Sequence, residues 1–361
     1  MKVLFHGLRR TTPWMIGGGI VLSYTPCLYA AEPGTQPISW FFLCISMFGG
    51  LALFLYGMEK MSTGLKRTAG NRMRSILAAL TKNRIVAMFV GAFITMVIQS
   101  SSATTVMLVS FVQAGLMTFV QSMGVILGAD IGTTITAQLI AFKLTDYALL
   151  MIAIGFSLHM FGKRDITKNV GDVILGFGIL FFGMKLMSDA MQPLRTYPVF
   201  IDIMREMENP FLGILIGALF TALVQSSSAT TGVVIVLAQQ GFLTLDAGIP
   251  LVFGANIGTC ITAGLASIGT SREAKRVALA HVRFKLAGVL IFIFWIPAFA
   301  DFIRMLAERF DSGTARQIAN AHTIFNVALA LIFLPFTQHF SRLIFKLLPL
   351  EEKPKDVTMT T

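Results

Sequence analysis

Charged residues are scarce in this sequence. Asp, Glu, Lys and Arg make up 13% of its 361 residues, whereas hydrophobic residues make up 55%. A soluble fold of this length cannot bury so much apolar surface, so the composition predicts one domain embedded in a membrane. Six apolar stretches approach or exceed the roughly 20 residues that a spanning helix needs. They are residues 38–57, 122–142, 147–161, 172–187, 286–302 and 323–340.

Cysteine is also rare, with three residues in the chain. Cys44 and Cys260 fall inside apolar stretches, and Cys27 lies near the start of the chain. No even, extracellular set of cysteines is present to form pairs. The sequence therefore predicts no disulfide framework.

The motifs of several enzyme classes are missing. The histidines, at positions 6, 159, 281, 322 and 339, have no metal-ligand spacing, and no G-x-S-x-G motif accompanies the serines. No G-x-x-x-x-G-K-[ST] motif is present, so ATP is not expected as an energy source within this chain. We therefore predict that the protein is not an enzyme and has no organic cofactor.

The net charge of +11 does not indicate a nucleic-acid partner. The Lys and Arg residues lie in short segments between apolar stretches rather than on one folded face. This distribution is typical of the positive-inside rule for membrane proteins. We expect a multi-pass protein of the cell membrane, in contact with lipid.

The first 31 residues predict either a cleavable signal peptide or an uncleaved first helix. Three basic residues precede an apolar run from Trp14, and small residues follow at Ala30 and Ala31. The residues before Ala30 are larger than in the usual A-x-A site, which keeps the second alternative open. Both alternatives place residues 33–39 outside the cell.

An internal repeat organises the chain. Gln99–Thr105 reads QSSSATT, and Gln225–Thr231 reads the same seven residues at an offset of 126. At the same offset, Gly128–Ala137 (GADIGTTITA) matches Gly254–Ala263 (GANIGTCITA). The matches indicate a gene duplication. The predicted parts are a first membrane repeat at 38–171, a second repeat with C-terminal helices at 172–347, and a short cytoplasmic tail at 348–361.

The charges of equivalent segments predict that the repeats have opposite orientations. Seven basic residues and one acidic residue lie in Met58–Ile85, whereas three basic and four acidic residues lie in Met184–Phe211. The first segment is therefore expected in the cytoplasm and the second outside. The predicted fold is an all-α membrane protein with two inverted-topology repeats.

Each QSSSATT run is predicted to form the tip of a re-entrant hairpin. Ile85–Ile98 offers 14 residues before the first run, and Ala103–Thr118 offers 16 after the Ser residues. Both arms are shorter than a full membrane crossing. The polar tip would then lie near the middle of the membrane.

A run of Gln, Ser and Thr without charge suits a desolvated anion. Hydroxyl and amide groups can replace its water shell, and helix N-termini add positive potential. The alternative is helix packing, because Ser and Thr are common where membrane helices approach closely. Duplication and the position at a predicted turn favour a binding site, since polar backbone at this depth must line a cavity.

The GA(D/N)IGT elements predict a broken transmembrane helix in each repeat. Unwound carbonyls, Thr hydroxyls and one carboxylate or carboxamide form an oxygen cage of the kind that sodium accepts. Asp130 is an ionisable residue within a span, which is itself a functional hypothesis. Close helix packing is the alternative explanation for the glycines.

The duplicated QSSSATT run, with a GA(D/N)IGT element after each copy, resembles the type II sodium-phosphate cotransporter family over about residues 50–334. The resemblance implies that both runs bind phosphate and that the second elements contribute to sodium binding. The phosphate candidates are Gln99, Ser100, Ser101, Ser102, Thr104, Gln225, Ser226, Ser227, Ser228 and Thr230. The sodium candidates are Asp130, Thr133, Thr134, Asn256, Thr259 and Asn326.

Two residues depart from the family pattern. His322, Phe325 and Asn326 resemble its H-x-x-F-N motif, but an earlier echo of the motif ends at Lys285, where Asn is expected. Asp130 likewise replaces the usual Asn. These changes predict a difference in cation stoichiometry or in pH dependence. The resemblance is to bacterial members without a C-terminal regulatory domain.

The resulting expectation is sodium-coupled symport of inorganic phosphate by alternating access, with Na⁺ as the coupling ion. The phosphate to sodium ratio and the oligomeric state stay open. A transporter of another oxyanion or a phosphate exporter would use the same donors. A membrane scaffold without transport is a further alternative, and an intramembrane enzyme is disfavoured by the missing acid–base pair.

Overall fold

The computed structural model of the protein describes residues 38–69, 83–142 and 144–349. All regular secondary structure within these ranges is helical. The predicted signal segment at 1–31 and residues 350–361 of the predicted tail lie outside the described residues. The observed helices confirm the all-α class.

The first half of the described chain contains six α-helices. They are α1 (Trp40–Ala69), α2 (Arg84–Ile98), α3 (Ser101–Gln113), α4 (Phe119–Ile140), α5 (Ala148–Phe161) and α6 (Asp165–Met191). The predicted repeat boundary between residues 171 and 172 falls inside α6.

The second half of the described chain contains nine. They are α7 (Pro198–Glu206), α8 (Pro210–Val224), α9 (Ser227–Gln239), α10 (Leu245–Gly258), α11 (Cys260–Ala266), α12 (Arg272–Phe292), α13 (Ile296–Glu308), α14 (Thr314–Phe333) and α15 (Thr337–Leu347). Across the described residues, five helical stretches are long and apolar enough to cross a membrane, or up to seven when two bent helix pairs each count as one span. These lengths agree with a multi-pass membrane protein.

The predicted span at residues 323–340 is wrong as a straight helix. The chain bends by 79° between α14 and α15. Pro335 lies at the bend. Proline has no N–H to continue a helix and disfavours helical backbone at the preceding residue, so the apolar stretch divides there.

Both QSSSATT runs form the same helix–turn–helix hairpin. The arms have 15 and 13 residues in each copy, which corresponds to about 22 and 20 Å of helix rise. A hydrocarbon core of roughly 30 Å exceeds either arm. Gln99 and Gln225 end the first arms with φ of 60° and 59°. The predicted short arms and polar turns are therefore present in both halves.

Glycines hold each hairpin close to the helix that follows it. A Cβ atom on Gly128 of α4 would overlap the carbonyl oxygen of Met88 in α2. At the equivalent position, a Cβ on Gly254 of α10 would overlap the carbonyl oxygen of Ile214 in α8. Close packing therefore explains these glycines of the GA(D/N)IGT elements.

Gly128→Ala is expected to destabilise the protein. The added methyl group has no space against the Met88 carbonyl, and overpacking of this kind costs about 1–3 kcal/mol. Gly264→Ala is the matched control, because no atom of the described residues lies within 4 Å of a Cβ there. The thermal unfolding midpoint of each purified variant in detergent checks the prediction. Equal midpoints for the two variants would contradict it.

Glycines also bring α1 and α6 together. A Cβ atom added to Gly50 would meet the backbone of Gly183, and a Cβ atom added to Gly57 would meet the backbone of Gly176. Residue numbers rise along α1 as they fall along α6, so the two helices are antiparallel. At the repeat offset, Gly50 is equivalent to Gly176, and Gly57 is equivalent to Gly183. Gly50 thus contacts the equivalent of Gly57, and Gly57 contacts the equivalent of Gly50, which is a reciprocal, two-fold pattern.

Candidate functional site

The second arm of each hairpin begins with a serine cap. The Ser100 side chain accepts a hydrogen bond from the Ala103 N–H at 3.1 Å, and Ser226 accepts one from the Ala229 N–H at 3.2 Å. Serine at this position is a common N-cap. The caps fix the start of α3 and α9, so that the serines after them occupy the first helical turn.

These following serines have free hydroxyl groups. Ser101, Ser227 and Ser228 are buried, and Ser102 is half-buried. No residue in the described ranges hydrogen-bonds to any of the four hydroxyls. The first backbone N–H groups of an α-helix also lack partners within the helix. Each tip therefore presents several uncharged donors together with the positive end of a helix dipole.

Thr104 and Thr230 lie inside the hairpins. The Thr104 hydroxyl is 2.8 Å from the Thr95 hydroxyl of the first arm. The Thr230 hydroxyl is 2.6 Å from that of Thr221. Both threonines are buried, and each hydroxyl contact links the two arms of its hairpin.

The two Gln residues anchor the tips to the neighbouring helices. Gln99 Oε1 accepts a hydrogen bond from the Thr136 hydroxyl of α4 at 2.6 Å. Gln225 Oε1 accepts one from the Thr262 hydroxyl of α11 at 2.7 Å. Gln99 is buried, whereas Gln225 is exposed. Sequence reasoning missed both threonines, although their identity at the repeat offset was a signal for them.

The two GA(D/N)IGT elements meet at a lysine from α12. Lys285 Nζ is 2.9 Å from Asp130 Oδ1 of α4 and 3.2 Å from Asn256 Oδ1 of α10. All three side chains are buried. One ammonium group therefore joins the first repeat to the second. The structure brings Asp130 and Asn256, which the sequence assigned to separate oxygen cages, to the same ammonium group.

The predicted helix break in the first element is wrong. Helix α4 runs unbroken from Phe119 to Ile140. The tight packing of Gly128 against α2 supports a regular helix there and leaves no unwound carbonyls. In the second element α10 ends at Gly258 and α11 begins at Cys260. Thr259 between them keeps near-helical backbone, with φ of −66° and ψ of −15°, and Leu245–Ala266 forms one apolar stretch, so the interruption is a single residue without an unwound segment.

The remaining sodium candidates bond to their own helices. The hydroxyls of Thr133, Thr134 and Thr259 donate to carbonyls three or four residues earlier. Asn326 donates through Nδ2 to the His322 carbonyl at 2.9 Å. No described residue donates to Asn326 Oδ1, which leaves that oxygen available.

The helices with the two H-x-x-F motifs pack on the hairpins. Helix α12 packs against α3, and α14 packs against α9. His281 Nδ1 lies 3.4 Å from the Thr105 hydroxyl. On the packed helices α9 and α14, Thr231 Oγ1 and His322 Nδ1 are both buried without a partner among the described residues. Lys285 and Asn326 thus stand at matching positions of two helices that support the two tips.

Comparison with known proteins supports a phosphate transport family. A family model described as Na⁺/Pi-cotransporter matches residues 53–189 and 194–334. YqeW of Bacillus subtilis is 33% identical over 308 residues, covering 85% of this chain and 99% of YqeW. No solved structure matches the chain.

Two further relatives have names that refer to phosphate. YjbB of Escherichia coli K12, a candidate inorganic phosphate export protein, is 30% identical over 268 residues, 73% of this chain. The chain spans about half the length of YjbB, because the match covers 48% of it. Human sodium-dependent phosphate transport protein 2B is 36% identical over 137 residues, 35% of this chain and 20% of that protein. The chain therefore belongs to the Na⁺/Pi-cotransporter family, a family of transporters, and is a multi-pass membrane protein.

Proposed function

We propose that this protein is a sodium-coupled symporter of inorganic phosphate in the cell membrane. The observation that carries the proposal is the pair of duplicated tips, each with free serine hydroxyls at a helix N-terminus. Phosphate would bind to Ser101 and Ser102 of one tip and to Ser227 and Ser228 of the other. Gln99, Gln225, Ser100 and Ser226 would hold the two turns in shape.

The chemistry of the tips supports an oxyanion as substrate. Each offers hydroxyl and backbone donors, with no acidic or basic residue in the QSSSATT run. Neutral donors can replace the water shell of an anion. They hold the anion less tightly than a cationic side chain would, so it can be released. A tetrahedral oxyanion has several acceptor oxygens, so donors from two tips can share it.

The proposed inverted repeat gives this site access to both sides. It is supported by the antiparallel, reciprocal contacts of Gly50 with Gly183 and of Gly57 with Gly176. It is also supported by the basic character of Met58–Ile85 against the acidic character of Met184–Phe211. In alternating access, one repeat moves against the other around a fixed central site.

Sodium coupling is supported by the name of the human relative and by Asn326. The free Asn326 Oδ1 lies on α14, which packs against α9 of the second hairpin. A sodium ion bound there would place positive charge near the tip and raise its affinity for phosphate. The Thr133, Thr134 and Thr259 hydroxyls donate their protons to helix carbonyls, and the lone pairs of their oxygens would remain available to a cation. By linkage, phosphate would raise the affinity for sodium by the same factor.

Uptake of labelled phosphate into proteoliposomes tests the proposal. An inward sodium gradient is expected to drive accumulation, whereas an equal potassium gradient is not. Excess unlabelled phosphate should compete, and sulfate should compete weakly. Equal uptake under sodium and potassium gradients would contradict coupling to sodium. Competition by sulfate that is stronger than competition by unlabelled phosphate would contradict phosphate as the substrate.

Phosphate export is the second candidate function, and the similarity to YjbB favours it. The same tips would serve both directions, because a carrier site binds its substrate from either side. Loaded proteoliposomes separate the two. Release of internal phosphate without any sodium gradient, at a rate equal to that with one, would favour an exporter.

A further inference from the structure

The place of Lys285 has a consequence for ion coupling. Its ammonium group lies between one oxygen of Asp130 and one oxygen of Asn256, at 2.9 and 3.2 Å. These atoms come from the matching elements of the two repeats. A carboxylate and a carboxamide oxygen are ligands that a hard monovalent cation accepts. The space between them is occupied here by a cation that belongs to the chain.

Charge balance explains why Asp130 and Lys285 lie in contact. The Asp130 carboxylate is buried in a spanning helix and needs a positive partner. Lys285 supplies one, so the centre has no net charge. A sodium ion at the same place would overlap the ammonium group and be repelled by its positive charge at contact distance. Lys285 therefore excludes sodium from between these two oxygens.

The second H-x-x-F helix provides an internal comparison. On α14, Asn326 stands at the position that Lys285 occupies on α12, four residues after a buried histidine in both cases. Asn326 has a free oxygen, whereas Lys285 has three donor hydrogens and no acceptor. The two related positions thus differ in whether the side chain offers an oxygen that can coordinate a cation.

We propose that the Lys285 ammonium group is a tethered cation that takes the place of a sodium ion between the repeats. The inference rests on the proposed function and deepens it. The protein then transports one sodium ion fewer per phosphate than a version with two amide side chains at positions 130 and 285. A tethered cation cannot leave on the other side, so it stabilises the centre without contributing to the driving force.

The test compares wild type with Asp130→Asn/Lys285→Asn. Lys60→Asn/Asp172→Asn is the matched control, because it removes the 2.8 Å ion pair between α1 and α6 with the same residue changes. The measured quantity is the ratio of ²²Na⁺ to ³²P-phosphate entering proteoliposomes. The ratio is expected to rise by one in the first variant and to stay at the wild-type value in the control. An unchanged ratio in the first variant, or an equal rise in both, would overturn the inference.

A binding measurement separates this inference from the proposed function. If wild type transports no phosphate, the proposed function fails, but sodium binding can still be read from the thermal unfolding midpoint in NaCl against choline chloride. Ligand that binds the folded state raises the midpoint by mass action. The double variant is expected to gain a sodium-dependent rise beyond that of wild type.

Lys285→Ala is a second variant for the case in which the double variant does not fold. It leaves the oxygens of Asp130 and Asn256 free for an ion. Sodium should raise its midpoint more than that of wild type, and choline should not. If neither Lys285 variant that folds binds more sodium than wild type, Lys285 is a structural ion-pair partner only, and the inference is wrong.

Discussion

Ser101→Ala and Ser227→Ala should each lower phosphate uptake by about 10- to 100-fold at low phosphate concentration. Both serines are buried, and their hydroxyls have no partner among the described residues, so they are free to donate to a bound oxyanion. A hydrogen bond to a charged group contributes about 1.5–3 kcal/mol, and about 1.4 kcal/mol corresponds to a factor of ten. The loss is expected mainly as a higher KM for phosphate.

Ser110→Ala is the matched control for Ser101→Ala. Ser110 lies on the same helix, but it is exposed, and its hydroxyl donates to the Val106 carbonyl at 3.0 Å. Its removal should leave both KM and membrane insertion unchanged. A membrane scaffold without transport would show no difference between the two variants. Equal uptake for Ser101→Ala, Ser227→Ala and wild type would therefore contradict the phosphate site.

The double variant Ser101→Ala/Ser227→Ala extends this test. If the two tips bind one anion, the losses should not be additive, since the anion can shift toward the remaining donors after the first change. Two independent sites would give additive effects on a logarithmic scale. The KM values of the four proteins in this cycle distinguish one shared site from two separate ones.

Much of the site was predictable from the repeat. Two identical heptapeptides between short apolar arms predicted two polar turns, and Gln99 and Gln225 do form equivalent left-handed turns. The pattern could not assign the hydroxyls individually. Thr104 belongs to the same run as Ser101, yet it faces Thr95 inside the hairpin. Which residues of a helical run face inward depends on the packing of the second arm.

The helix break was harder to predict, because glycine permits two different structures. It allows unwound backbone, and it also allows a neighbouring helix to approach closely. At Gly128 and Gly254 the second use is observed. The choice depends on Met88 and Ile214, which precede these glycines by 40 residues in each repeat. Composition of the GA(D/N)IGT element alone contains no information about that contact.

The contacts of Lys285 could not be predicted from the sequence either. Its departure from the expected Asn was visible in the sequence, and so was that of Asp130. Their contact was not, because 155 residues separate them and no spacing rule links helices so far apart. Only the packing of α12 between the two repeats brings the ammonium group to both Asp130 and Asn256.

Breaking this ion pair on one side should cause the largest loss of stability. Lys285→Met leaves a buried carboxylate without a cation, and Asp130→Asn leaves a buried ammonium group without an anion. Removal of one partner of a buried pair costs about 3–5 kcal/mol, whereas replacement of both by uncharged groups is often nearly neutral. The double variant Asp130→Asn/Lys285→Met should therefore be more stable than either single variant, because the amide introduced at position 130 can hydrogen-bond to Asn256.

Unfolding of the four proteins in sodium-free detergent buffer measures this cycle. Sodium must be absent because an ion beside Asp130 would replace the missing ammonium group in Lys285→Met. A coupling energy of at least about 2 kcal/mol is expected, since the charges are in direct contact and shielded from water. Additive losses would mean that the two charges do not depend on each other. In that case Lys285 would not neutralise Asp130, and the Asp130 carboxylate would require a cation from solution instead.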